Sequence, residues 1–223
     1  MSVSLTESIP MAQSQKKILV IDTETSGLRS TNSSYPLYLA GPQTIELGAV
    51  VSDARTFSIL DRFTTKVRFL GSYEGIQYGE YPELTWDPYA ATIHGQSPME
   101  LSRHPHPRQA SEIFVQFLKK HFDVNERITL AGHNPEFDAY HVRQLLYLGG
   151  MIDAVKFNHR MLDTNTLGMF LYQIDNSEEL FSKIAKLKRD KHEALEDAIA
   201  ANQVLAETSK RISESNFVSL TSY

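Results

Sequence analysis

Asp22 and Glu24 stand one residue apart in "KILVIDTETSG", where an apolar run ends. Side chains alternate along a strand, so both carboxylates project from one face. Like charges held that close repel, and at the end of a buried-type strand they call for a cation. A third acid, Asp138, lies in "AGHNPEFD". There Asn134 suits a helix N-cap and Pro135 a first helical residue, which puts Asp138 in the first turn near the positive end of the helix dipole. A last group, "KHEALEDA", brings His192, Glu196 and Asp197. On one continuous helix His192 and Asp197 are about 140° apart around the axis. They can cooperate only if His192 sits in the loop ahead of the helix, and Asp190 and Lys191 are compatible with such a loop. Oxygen ligands of this kind favour Mg²⁺ or Mn²⁺ over zinc. An imidazole, which titrates near neutrality, suits proton transfer beside them.

Each group also has a plainer reading. Asp-x-Glu recurs by chance in a chain this long. Asn134 and Pro135 are ordinary helix punctuation, and His192 with Glu196 makes a surface i,i+4 pair. Two metal motifs fail outright. "DTETSG" has the acids and glycine of a calcium loop, but the segment before it is strand-like and its twelfth position is Ser33. The zinc-protease pattern needs a second histidine where Glu196 stands.

The elements that must position these residues follow from pattern. "KILVID" is apolar on both faces and predicts a central strand. "TIELGAVVSD" and "FSILDRFTTKVRF" predict two more, joined by a hairpin near Asp53 to Thr56. "QASEIFVQFLKKHF" has helical spacing at Ala110, Ile113, Phe114, Phe117 and Leu118. "RITLAGHN" reads as a strand running into a turn, and "PEFDAYHVRQLLYLGG" as a helix closed by two glycines. "KFNHRMLDT" predicts a short strand, while "ELFSKIAKLK" and "EALEDAIAANQVLAETSKRIS" predict helices. The order suggests an α/β domain with a mixed sheet.

The boundaries expected are a disordered N-terminal tail over 1–15, one domain over 16–213 and a C-terminal tail over 214–223. Loop insertions are expected near 28–42 and 70–88, the second as an ordered insertion or flap. No apolar run approaches the ~20 residues of a membrane helix. The N-terminus has neither the basic start nor the apolar core of a secretory signal. With 41% hydrophobic residues, 22% charged residues and no cysteine, the chain reads as soluble, globular and cytoplasmic, without disulfides or thiolate metal sites. A net charge of −5 argues against a surface that coats nucleic acid generally, but leaves room for a local basic run at Lys183, Lys186, Lys188, Arg189 and Lys191. His104 and His106 in "RHPHPR" read as surface histidines.

Taken together and in order, "IDTETSG", "GHNPEFD" and "HEALED" resemble the three motifs of the DEDDh family of 3′-to-5′ exonucleases, which includes the proofreading subunit of bacterial replicative polymerase and ribonuclease T. "TIELGAVV" and "ATIHGQS" resemble further family segments, and the likeness spans roughly 16–205. The resemblance implies a ribonuclease H-like fold and hydrolysis of terminal phosphodiesters of DNA or RNA to nucleoside 5′-monophosphates. It implies two divalent ions, Mg²⁺ or Mn²⁺, held by Asp22, Glu24, Asp138 and Asp197, with His192 as general base. It suggests that the backbone at Thr23, Thr25, Ser26 and Gly27 receives the 3′ terminus, and it draws His94 toward the substrate. Phe137 offers either a stacking face or a core ring. His133 is either a strand-end residue or a substrate contact, and Asp163 either a further acid or a local cap. The implied partner is a single-stranded or frayed 3′ end, with a polymerase or replication partner possible. Rival readings are a non-catalytic nucleic-acid-binding module of the same fold and a structural calcium binder. Nothing in the sequence separates RNA trimming from DNA proofreading.

Overall fold

The computed structural model describes residues 16–28, 38–187 and 192–220, and the side chains only as far as Glu214. The expected N-terminal tail therefore lies outside the described residues, as does most of the first insertion. The chain runs through β1 (Lys17–Thr25), β2 (Gly41–Pro42), β3 (Thr44–Asp53), β4 (Ile59–Lys66), β5 (Ser72–Tyr73), β6 (Ile76–Gln77) and β7 (Leu84–Thr85). Helices α1 (Pro88–His94), α2 (Pro98–Leu101) and α3 (Pro107–Lys119) follow, then β8 (Arg127–Ile128), β9 (Leu130–Gly132) and α4 (Pro135–Leu148). Next come β10 (Lys156–Phe157), β11 (Leu162–Asp163), α5 (Thr164–Leu167), α6 (Ser177–Leu180) and the long α7 (Ala194–Leu220).

The central sheet has the order β11-β9-β1-β3-β4. β1, β3 and β4 are antiparallel neighbours, while β9 and β11 join in parallel. This is the mixed sheet of the ribonuclease H-like fold. The alternation of β1 is legible in its packing. Leu19 and Ile21 enter a core with Phe114, Leu118, Val142 and Leu146 from α3 and α4. Ile18 and Val20 enter the opposite core, with Ala198, Ala201 and Val204 from α7. Continuing the alternation puts Asp22 and Glu24 on the α7 side.

The close approach of α7 depends on small residues. Gly48 pairs with Asp22 across the ladder. A Cβ on Gly48 would lie 2.2 Å from the backbone carbonyl of Ala194, so the first turn of α7 rests on bare strand. Gly48→Ala is expected to push α7 outward and cost about 1–3 kcal/mol, the usual range for overpacking. Urea unfolding checks it, and an unchanged midpoint would mean that the contact is not tight.

The second insertion has a small sheet and a core of its own. β2, β7, β5 and β6 form a four-stranded sheet of their own. Ile45, Phe69, Leu70, Leu84, Trp86 and Leu101 give it a separate core. β5 and β6 close in a two-residue turn with positive φ at Glu74 (49°) and Gly75 (77°), the twist that suits a hairpin.

Other expectations shift in detail. "RITLAGHN" makes two short strands in different sheets, and "KFNHRMLDT" also makes two. Ile113 is 38% exposed, and Val115 is buried in its place. Asn134 occupies the N-cap position in a left-handed conformation and makes no side-chain cap. Instead its N–H donates to Asp163 Oδ1 at 3.0 Å. "ELFSKIAKLK" gives one α turn and then a π-helical turn over Phe181–Ala185, with Leu180 and Phe181 buried. α7 continues to Leu220, past the tail boundary expected at 214, with no glycine or proline to stop it.

Candidate active site

The end of β1, the first turn of α4 and the approach to α7 converge. Glu24 (8% exposed), Asp138 (3%) and Asp197 (3%) are buried carboxylates, and Asp22 is half-buried. His192 lies in the loop just ahead of α7, as cooperation with Asp197 requires. With its proton on Nδ1, the ring donates to Asp197 Oδ2 at 3.2 Å, and its Nε2 stands 3.5 Å from Glu178 Oε1. One ligand atom each from Glu24, His192 and Asp197 lie within 4.8 Å of one another.

Asp138 reaches this group from the other face of the sheet. Its Oδ1 accepts from Thr23 N–H at 2.9 Å and Thr23 Oγ1 at 2.8 Å. Burial pushes its carboxyl up to about 7; the Thr23 hydrogen bonds work against this and the nearby Glu24 works with it. Buried, mutually repelling carboxylates with an oxygen-rich donor set fit a hard divalent cation.

Beside the acids opens a cleft of about 190 Å³, lined by Thr23, Glu24, Thr25, Gly27, His94 and Phe137. Leu28, Tyr89 and Ile93 make its rim apolar. Thr25 Oγ1 donates to Gly27 O at 2.7 Å and shapes the turn. Phe137 is half-buried, with its ring 4.6 Å from that of His141. His94 is 6% exposed and stacks edge-on against Trp86. Its Nδ1 accepts from Gln96 N–H at 3.1 Å. Burial, with Lys66 and His192 nearby, drives its pKa down to about 4, so the ring is neutral near pH 7.

Three residues of the expected set have partners outside the cleft. Ser26 is fully buried, and its groups are engaged elsewhere. Its N–H donates to Gln43 O, its Oγ donates to Thr85 O at 2.6 Å, and its Oγ accepts from Gln43 N–H at 2.8 Å. It fastens the insertion to β1 and offers nothing to the cleft. The Thr23 N–H and hydroxyl are likewise spent on Asp138. His133 does not line the cleft; it contacts Thr164 Oγ1 at 3.2 Å and packs edge-on against Phe181.

The RNase_T exonuclease family model matches residues 19–205. This chain belongs to that family. The chain is similar in fold to E. coli exonuclease I in complex with a dA16 oligonucleotide, with TM-score 0.59 at 15% identity over 88% of this chain and 41% of that one. It is also similar to the nuclease domain of 3′hExo, a DEDDh family member bound to rAMP, with TM-score 0.57 at 13% identity over 92% and 95%. A 3′-exonuclease recognising histone mRNA stem-loop gives 0.58 at 13% identity over 89% and 65%. The chain thus spans about two fifths of exonuclease I (42% in its apo form). Identities this low carry the fold alone. No curated protein matches the sequence.

The chain thus carries an exonuclease-family domain over residues 19–205. Among its described residues no helix is long and apolar enough to cross a membrane. Glu178, beside the His192 ring, carries no signal in the sequence. Asp163 proves to be a cap: burial would raise its pKa, but donors from Thr166, Asn134 and Asn165 outweigh that and hold it low. His106 caps α3 and contacts Glu80 at 3.0 Å. In the basic run, Lys183 pairs with Glu179 at 2.6 Å. Lys188, Arg189 and Lys191 lie outside the described residues.

Proposed function

We propose that this exonuclease removes nucleotides one at a time from a free 3′ end, releasing nucleoside 5′-monophosphates. The observation that supports this most is the gathering of Glu24, His192 and Asp197 donor atoms within 4.8 Å at the edge of the apolar-rimmed cleft.

Asp22, Glu24, Asp138 and Asp197 are the residues to hold two divalent ions, Mg²⁺ or Mn²⁺. When bound, such ions offset the carboxylate charge, acidify water and stabilise charge on the scissile phosphate. The chain's own residues supply positioning and the proton path. The apolar rim of Leu28, Tyr89 and Ile93 takes the terminal base, with Phe137 as a stacking face. His94, neutral and buried, borders the terminal sugar. Asp197 fixes the His192 ring through Nδ1, which leaves Nε2 to take the proton of the attacking water. Glu178, 3.5 Å from that nitrogen, then stabilises the charged ring.

The test is stepwise shortening of 5′-labelled single-stranded DNA, single-stranded RNA and duplexes by the protein alone, with Mg²⁺, Mn²⁺ or chelator. A ladder from the 3′ end that vanishes with chelator is expected, and the relative rates name the preferred sugar. Internal cuts, or binding without turnover, would reject the reading in favour of an endonuclease or a binding module. Turnover without a polymerase would show that the chain acts unaided.

A further inference from the structure

Gln144 is a fully buried amide on α4 that the proposed chemistry does not use. Its side chain bonds the backbone of one short segment twice. Oε1 accepts from Thr44 N–H at 3.0 Å, and Nε2 donates to Pro42 O at 2.9 Å. Thr44 Oγ1 returns a bond to the α4 backbone, donating to His141 O at 2.8 Å. That segment, residues 42–44, backs the floor of the cleft residue by residue. Thr44 pairs with Thr25 where the β1–β3 register shifts. Gln43 exchanges two bonds with Ser26, and a Cβ on Gly27 would lie 3.4 Å from the Pro42 ring. On α4 itself, Phe137, His141 and Gln144 follow at i, i+4 and i+7 and share a face. The Phe137 ring lies 4.6 Å from that of His141, whose Nδ1 stands 3.4 Å from Gln144 Oε1. One amide therefore spans from the helix that carries the aromatic wall of the cleft to the chain behind its floor.

We propose that Gln144 is a positioning residue that sets the width of the cleft for the terminal nucleotide, by holding the floor at Thr25 and Gly27 at a fixed distance from Phe137. The inference rests on the nuclease reading for what the cleft holds, but not for the clamp itself. The segment offers one donor and one acceptor away from water, and a glutamine amide answers both. An apolar side chain in its place would leave both unpaired. The nearby acid is anchored independently, because Asp138 takes its place from two bonds to Thr23. Loosening the clamp therefore weakens the grip on the nucleotide and leaves the chemical step largely in place, the pattern of lost uniform binding.

Two variants separate positioning from simple stability. Gln144→Leu removes both bonds. Its KM for a short single-stranded oligonucleotide is expected to rise about 5- to 20-fold, with kcat within about threefold, at a temperature well below its melting point. Gln144→Glu in its neutral form keeps both an acceptor and a donor. Burial favours that form, so at about pH 5.5 this variant should stay within about twofold of the parent at the same pH. Trp86, the single tryptophan of the chain, packs edge-on against His94 of the cleft. Its fluorescence follows binding of adenosine 5′-monophosphate without turnover, and Gln144→Leu should bind about 5- to 20-fold more weakly. Parent-like KM and affinity in Gln144→Leu, a loss confined to kcat, or equal losses in both variants at about pH 5.5 would overturn the proposal. Exchange of the Thr44 N–H, followed by NMR, reads the clamp with neither substrate nor metal. Faster exchange in Gln144→Leu supports the clamp even if the parent neither binds nor cuts, in which case the nuclease reading fails alone. Unchanged exchange removes the clamp.

Discussion

His192→Ala is expected to lower the proposed 3′-terminal hydrolysis at saturating substrate by about 10²- to 10⁴-fold, the share a positioned base contributes. The expectation comes from the place of the ring. It is held by Asp197 at 3.2 Å and faces Glu178 at 3.5 Å, in the loop just ahead of α7. The side chain is 34% exposed, so its loss leaves the core intact and the melting temperature close to that of the parent. Single-turnover assays with Mg²⁺ and 5′-labelled oligonucleotide measure it. Full activity in the variant would remove His192 from the proton path and leave the acids to be tested separately.

Asp138→Asn should abolish activity and, in the absence of metal, make the protein more stable at pH 8. In the fold this carboxyl is pushed up from 3.8 to about 7, chiefly by burial. A raised carboxyl favours the folded state fully below its unfolded value, and that contribution is lost as pH rises through about 7. At 1.36 kcal/mol per pH unit, the ionised form at pH 8 costs at most about 4 kcal/mol. Asparagine stays neutral and can still accept both Thr23 donors at Oδ1. His94 works in the opposite sense. Its pKa is lowered from 6.5 to about 4, so its contribution is present above 6.5 and lost as pH falls toward 4. Below pH 6.5 the two slopes oppose, and each is read as the difference between parent and single variant. Chemical unfolding with chelator from pH 5 to 8 should show the Asp138→Asn advantage growing with pH. Added Mg²⁺ or Mn²⁺ should stabilise the parent far more than the variant. An advantage that does not change with pH would mean that Asp138 is not held protonated by burial.

The acids and His192 were legible because each is announced locally. β1 turns from apolar to acidic, Pro135 opens α4 one turn from Asp138, and a His-to-Asp spacing of five demands a loop before α7. β3, β4, α4 and the hairpin at Asp53 to Thr56 followed from period and turn residues. What could not be read depends on partners far along the chain. Ser26 looks like a cleft residue until Gln43 and Thr85 arrive to engage it. Thr23 looks like a free donor until Asp138 claims both its groups. The insertion showed no period because its strands are two residues long and are held by an aromatic core, not by alternation.

The hairpin at Glu74 and Gly75 offers a practical handle. Both residues are exposed, both already adopt the backbone that a tight reversal needs, and neither lines the cleft. Extra chain is best tolerated at such tips. A fluorophore or affinity peptide spliced between them would ride on a small sheet that Ser26 fastens to the acid-bearing strand, away from the residues that line the cleft.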